Sequence, residues 1–144
     1  MENILNELEA YLDKDLPLVS NLSNASSIIN KIGNINWCGF YLLDGEYLYL
    51  GPFQGEAACS RIKLGKGVCG SSAITDKTLN VKNVNEFPGH IACSAISKSE
   101  IVIPIHKNNK VIGVLDIDAP IFDRFSEKDE IFLQKAVKII EKFL

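Results

Sequence analysis

Apolar positions recur with a helical period at both ends of the chain and with a strand period in its middle. In residues 3–13, Leu5, Leu8 and Leu12 stand three and four apart, with Ile4 and Tyr11 widening the stripe, which predicts an amphipathic helix. A second helix is expected after Pro17, with Leu18, Leu22, Ala25, Ile29 and Ile32 on one side and Gly33 placed to stop it. Residues 36–43 are aromatic and apolar on both faces, as in a central strand covered from both sides. Asp44-Gly45 then offers a type I′ turn, and residues 46–50 alternate as the return strand. Residues 65–73 read as a glycine-punctuated loop opening a short helix, and a polar loop follows near residues 83–89. Residues 100–105 and 111–118 form two apolar strands joined across Lys107-Asn108-Asn109-Lys110, whose asparagines tolerate the positive φ of a tight hairpin. The last helix starts at Ser126, which makes a Ser-x-x-Asp capping box with Asp129 and presents Phe132, Ala136, Ile139 or Ile140, and Phe143.

Hairpins mean antiparallel pairing, and helices separated from the strands need one face of the sheet to cover. The expected fold is therefore an α+β sandwich, its N- and C-terminal helices on one face of an antiparallel sheet. The other face is left to the middle loops, which is where a small-molecule pocket would form. No repeat or linker divides the sequence, so one domain over residues 1–144 is expected. Apolar residues make up 47% and charged residues 23%, which excludes a disordered chain. A net charge of −3 with no Lys/Arg cluster gives no electrostatic footprint for nucleic acid or an anionic membrane. No apolar run approaches the roughly 20 residues of a bilayer crossing. Met1-Glu2-Asn3 carries an acid where an export signal carries a base, so a cytoplasmic location is expected. Small molecules and other proteins remain as partners.

Four cysteines in such a chain are the first chemical clue. In a reducing compartment they are buried fillers, metal ligands or redox-active thiols. Zinc fits poorly. Cys38, Cys59, Cys69 and Cys93 are spaced 21, 10 and 24 residues apart, with no Cys-x-x-Cys knuckle and only two histidines, His90 and His106. Cys38 lies inside a dense strand and reads as core. Cys69 falls near a helix N-terminus, whose dipole lowers a thiol pKa, and Cys93 falls in a loop before the Glu100 strand; local context ranks these two together as reactive. Gly-x-Gly-x-x-Gly at residues 65–70 lacks the βαβ unit of a dinucleotide loop and is set aside. Two carboxylates interrupt an apolar strand: alternation puts Asp116 and Asp118 on the face of Ile112 and Val114, about 6.5–7 Å apart along the strand. Either the strand ends there and both face water, or both enter a pocket and bracket a cationic group. Glu100 stands likewise beside Ile101-Val102-Ile103.

Five blocks in order, Asn36-Trp37-Cys38-Gly39-Phe40-Tyr41-Leu42-Leu43, Gly51-Pro52-Phe53-Gln54-Gly55, Gly67-Val68-Cys69-Gly70, Gly89-His90-Ile91-Ala92-Cys93 and Gly113-Val114-Leu115-Asp116-Ile117-Asp118, resemble the free methionine-(R)-sulfoxide reductases, enzymes of GAF-type fold. Cys59, Cys69 and Cys93 match the family's three cysteines, whereas Cys38 departs from it. The resemblance implies Cys93 as nucleophile, Cys59 as resolving thiol and Cys69 as an auxiliary thiol able to join exchange. It implies Glu100, Asp116 and Asp118 as pocket acids, with Trp37 and Tyr41 at the substrate's methylthio end; from composition alone both aromatics read as core. It further implies thioredoxin as reductant, no metal or organic cofactor, and often a homodimer. The implied chemistry is attack of a thiolate on the sulfoxide sulfur while a protonated acid serves the departing oxygen, leaving a sulfenic acid that a second thiol condenses into a disulfide. Clustered acids raise at least one carboxyl pKa and would also hold a free α-ammonium, which peptide-linked methionine lacks. The alternatives are a non-catalytic GAF-type sensor of a small ligand, and a thiol switch with no small substrate.

Overall fold

Six strands and four helices account for the apolar pattern. The computed structural model describes residues 1–90 and 94–144. The helices are α1 (Glu2–Tyr11), α2 (Leu18–Ile29), α3 (Gly67–Thr75) and α4 (Glu127–Glu141). The strands are β1 (Trp37–Asp44), β2 (Tyr47–Gly55), β3 (Arg61–Lys63), β4 (Leu79–Val81), β5 (Ser99–Lys107) and β6 (Lys110–Ala119). They form one antiparallel sheet in the order β3-β2-β1-β6-β5-β4, so β1 and β6 are central.

Both sheet faces are buried, as the sequence predicts for β1. One face sends Cys38, Phe40, Ile101, Ile103, Leu115 and Ile117 into a core shared with Leu8, Leu22, Ala25, Leu133 and Ala136 of α1, α2 and α4. The other face carries Trp37, Tyr41, Leu48, Val102 and Val114 under α3 and the segments around it. Fully burying each large side chain is worth about 1.5–3 kcal/mol, so the two cores together fix the sheet between them. Tyr11 and Leu18, expected in the helical stripes, are exposed: one is the last residue of α1 and the other the first of α2, beyond the reach of the core. Gly33 ends a 3-10 turn after α2 at φ +78°.

The capping box at α4 forms as expected, with the Asp129 N–H donating to Ser126 Oγ at 3.1 Å and the Ser126 N–H to Asp129 Oδ2 at 3.0 Å. Asn108 and Asn109 both take positive φ in the β5–β6 turn. The first hairpin differs by one residue. Asp44 pairs with Tyr47, so Gly45 and Glu46 are the central residues, and only Gly45 has positive φ, the pattern of a type II′ turn. β3 and β4 escape the sequence pattern because three residues are too few to show alternation. A bulge also corrects the reading of β6. Register shifts between Ile105 and His106, which pair with Gly113 and Val111, and Ile112 therefore turns to the helix side while Val111 joins Val114 on the other.

Candidate active site

Register brings the three acids together. Asp118 on β6 pairs with Trp37 on one side and Glu100 on the other; one step along, Asp116 pairs with Gly39 and Val102. Alternation points all three acids away from α1, α2 and α4, into a cavity of about 290 Å³ that α3 helps to line. That is the lower end of small-molecule sites and suits a ligand the size of one amino acid. Glu100 and Asp116 are 7% and 5% exposed, so the reading in which the strand ends in water is excluded for Asp116. Gly39 keeps the floor open, because a Cβ there would lie 2.8 Å from the Trp37 ring and 2.3 Å from Phe53 Cβ.

Trp37 and Tyr41 share the cavity face, stacked with ring centroids 5.9 Å apart, and Trp37 stacks again on Phe53 at 5.2 Å. Their polar ends hold the opposite wall. Trp37 Nε1–H donates to the Glu56 carbonyl at 3.0 Å, and the Tyr41 hydroxyl donates to the Cys59 carbonyl at 2.9 Å. The segment between, with Ala57 and Ala58, lines the cavity. Cys59 itself is disulfide-bonded, whereas Cys38 and Cys69 are free and buried. Cys93 lies outside the described residues, as do Ile91 and Ala92 of its motif.

Cys69 stands in the first turn of α3, where its Sγ donates to Glu100 Oε2 at 3.9 Å. Its thiol is nonetheless pushed well up, against the expectation from the helix dipole: burial is the main cause, and the Asp116, Glu100 and Asp118 carboxyls add to it. Cys38 is also pushed up, by burial first and then by Asp116 and Asp118, and stays in the core as read from sequence. Burial and the neighbouring carboxyls raise Glu100 and Asp118 well above ordinary values. Burial raises Asp116 too, while its neighbours Glu100, Cys69 and His90 pull in the opposite direction. Cys69, Glu100 and Asp116 each bring a donor atom within 4.8 Å of the others, the spacing of a shared proton store or of a cation site.

The sequence reading missed Asn36, His90 and Ser97, which also line the cavity. His90 stands in the Gly89–Cys93 sequence block without a role assigned to it; burial lowers its pKa, and Asp116 partly offsets this. Asn36 and Ser97 gave no signal, since a polar residue before a strand is ordinary.

A sheet with three helices behind it and a loop-walled, acid-floored cavity in front defines the class: the chain belongs to the GAF domain family, whose model matches residues 17–143. It is 43% identical over 139 residues to the free methionine-R-sulfoxide reductase of Escherichia coli, covering 96% of this chain and 84% of that one. The reduced form of fRMsr from Staphylococcus aureus superposes with a TM-score of 0.96 at 49% identity, covering 99% of this chain and 94% of that chain. The free methionine-R-sulfoxide reductase of Neisseria meningitidis, solved in complex with its substrate, gives 0.93 at 39% identity, with 99% and 86% covered. With these relatives the chain belongs to the free methionine-R-sulfoxide reductases, a family of oxidoreductases. No helix among the described residues is long and apolar enough to cross a membrane.

Proposed function

We propose that the protein reduces free L-methionine (R)-sulfoxide to methionine, with Cys93 as nucleophile and Cys59 as resolving thiol. The observation that carries this reading is the convergence of Glu100, Asp116 and Asp118 on one aromatic-walled cavity, beside a wall that ends at the disulfide-bonded Cys59. The substrate's α-ammonium meets ionised Asp116, while Trp37 and Tyr41 take the methylthio end. The Cys93 thiolate attacks the sulfoxide sulfur, and a protonated carboxyl, Glu100 or Asp118, gives its proton to the departing oxygen. The sulfoxide S–O bond and the new S–S bond then break as the protonated oxygen passes to the Cys93 sulfur, which releases methionine and leaves Cys93 as a sulfenic acid. The Cys59 thiol then attacks that sulfur, forming the disulfide and releasing water. Two electrons from an external dithiol, thioredoxin, restore both thiols by exchange. Cys69 stays a thiol in the resting site and serves as an auxiliary partner in exchange.

The test is Cys93→Ser, followed by release of free methionine with a thioredoxin system and a single-turnover assay without it. Loss of methionine in both assays is expected. Unimpaired turnover would refute the assignment. Cys59→Ser should still release one equivalent of methionine and then stall without a second thiol.

A further inference from the structure

Two side-chain atoms in the described residues are buried without a hydrogen-bond partner, Asn36 Oδ1 and Asp116 Oδ1. Both belong to residues lining the same cavity. Leaving such an atom unsatisfied costs about 1–3 kcal/mol, so a pair of them in one cavity marks where a ligand brings donors. Both are acceptors when Asp116 is ionised, which excludes a ligand group that only accepts. A hydroxyl could serve one of them; a primary ammonium, with three N–H bonds, serves both and keeps one for another acid.

Asn36 is held in place from two sides. Its backbone N–H donates to the Asp118 carbonyl at 2.9 Å, and its Nδ2 donates to Ser97 Oγ at 3.1 Å, so its remaining polar atom is the oxygen. A neutral acceptor is what the floor needs at this point. A fourth carboxylate would add repulsion to a cluster in which burial and neighbouring charge already oppose ionisation. We infer that Asn36 determines specificity for the free amino acid, its Oδ1 accepting one N–H of the substrate's α-ammonium alongside Asp116. This rests on the proposed reduction of free methionine sulfoxide and adds a neutral partner to the acids.

Trp37 is the sole tryptophan and lines the cavity, so its fluorescence reads occupancy directly. Reduced wild type and Asn36→Ala are titrated with methionine, with methylthiopropylamine, which lacks the carboxylate, and with methylthiobutanoate, which lacks the amine. The variant should bind the two amines about tenfold more weakly and the butanoate as wild type does, the size of one hydrogen bond to a charged group. In turnover of the sulfoxide, KM should rise by about the same factor with kcat within about twofold. Equal weakening for all three ligands would make Asn36 a packing residue and overturn the inference. So would unchanged affinity for methionine, or a loss confined to ligands with a carboxylate. Wild type that reduces the sulfoxide while Asn36→Ala binds normally sinks this inference alone. Wild type that neither binds methionine nor reduces its sulfoxide sinks the functional reading and this inference with it.

Discussion

Cys69 measures the strength of local against tertiary effects on one side chain. A place in the first turn of a helix favours a thiolate by about 0.3–1 kcal/mol. Full burial can shift a pKa by about 3–5 units, each worth 1.36 kcal/mol, so burial wins even before three carboxyls are counted. In reduced protein at neutral pH, Cys69 and Cys38 should therefore resist alkylation until the protein is unfolded, as mass spectrometry of iodoacetamide-treated protein would show. Modification of Cys69 at the rate of an open thiol would contradict its raised pKa. The acids carry a stability cost of the same origin. Glu100, Asp116 and Asp118 have folded pKa values above their ordinary ones, so the folded state holds more protons than the unfolded state from the ordinary carboxyl range upward. Stability contributed by these groups is complete in acid and falls as pH rises through the folded pKa values. Glu100→Gln should flatten that slope and stabilise the ligand-free protein by about 0.5–2 kcal/mol at mildly alkaline pH, checked by melts on both sides of neutrality. The acids were legible because each interrupts an apolar strand. Asn36 was not, because its significance lies in an unpaired atom that no residue pattern records.

At the scale of elements, the two aromatics of β1 do more than wall the cavity. Trp37 and Tyr41 grip the carbonyls of Glu56 and Cys59, the two ends of the segment that carries the proposed resolving thiol. Tyr41→Phe removes one neutral hydrogen bond, worth about 0.5–1.5 kcal/mol, and leaves the ring stacked on Trp37. Formation of the disulfide should slow while the first equivalent of methionine appears at its normal rate. Trapping the sulfenic acid with dimedone in single turnover measures that difference, and equal trapping in variant and wild type would count against it. The hairpins, α4 and its cap were readable because turn residues and capping chemistry act within a few positions. The edge strands β3 and β4 were not, because they exist only through pairing with β2 and β5. The one-residue shift of the first turn and the turned side chain of Ile112 arise likewise from register, which one strand's sequence does not carry.

Across the whole molecule, His106 joins three elements far from the cavity. Its Nε2 lies 2.6 Å from Asp76, the left-handed cap of α3, and its Nδ1 lies 3.0 Å from Glu141 at the end of α4. Burial pulls its pKa down, but the hydrogen bonds and charges of the two carboxylates outweigh this and raise it. The contribution is therefore complete below the ordinary histidine range and lost as pH rises through the raised value. The ring is 35% exposed, so solvent screens the pair, and His106→Gln should lower stability by only about 0.5 kcal/mol, and only on the acid side, as melts at two pH values would register. The two-sided burial of the sheet has a larger consequence. On the proposed binding mode the ligand's α-ammonium meets Asp116, and behind that strand stand Ile101, Ile117 and the helical layer. That end of the chamber is a cul-de-sac. An oxidised methionine inside a polypeptide continues beyond its nitrogen, and on that binding mode its chain would run into this packed layer, so the proposed reduction is expected to spare methionine sulfoxide held in proteins.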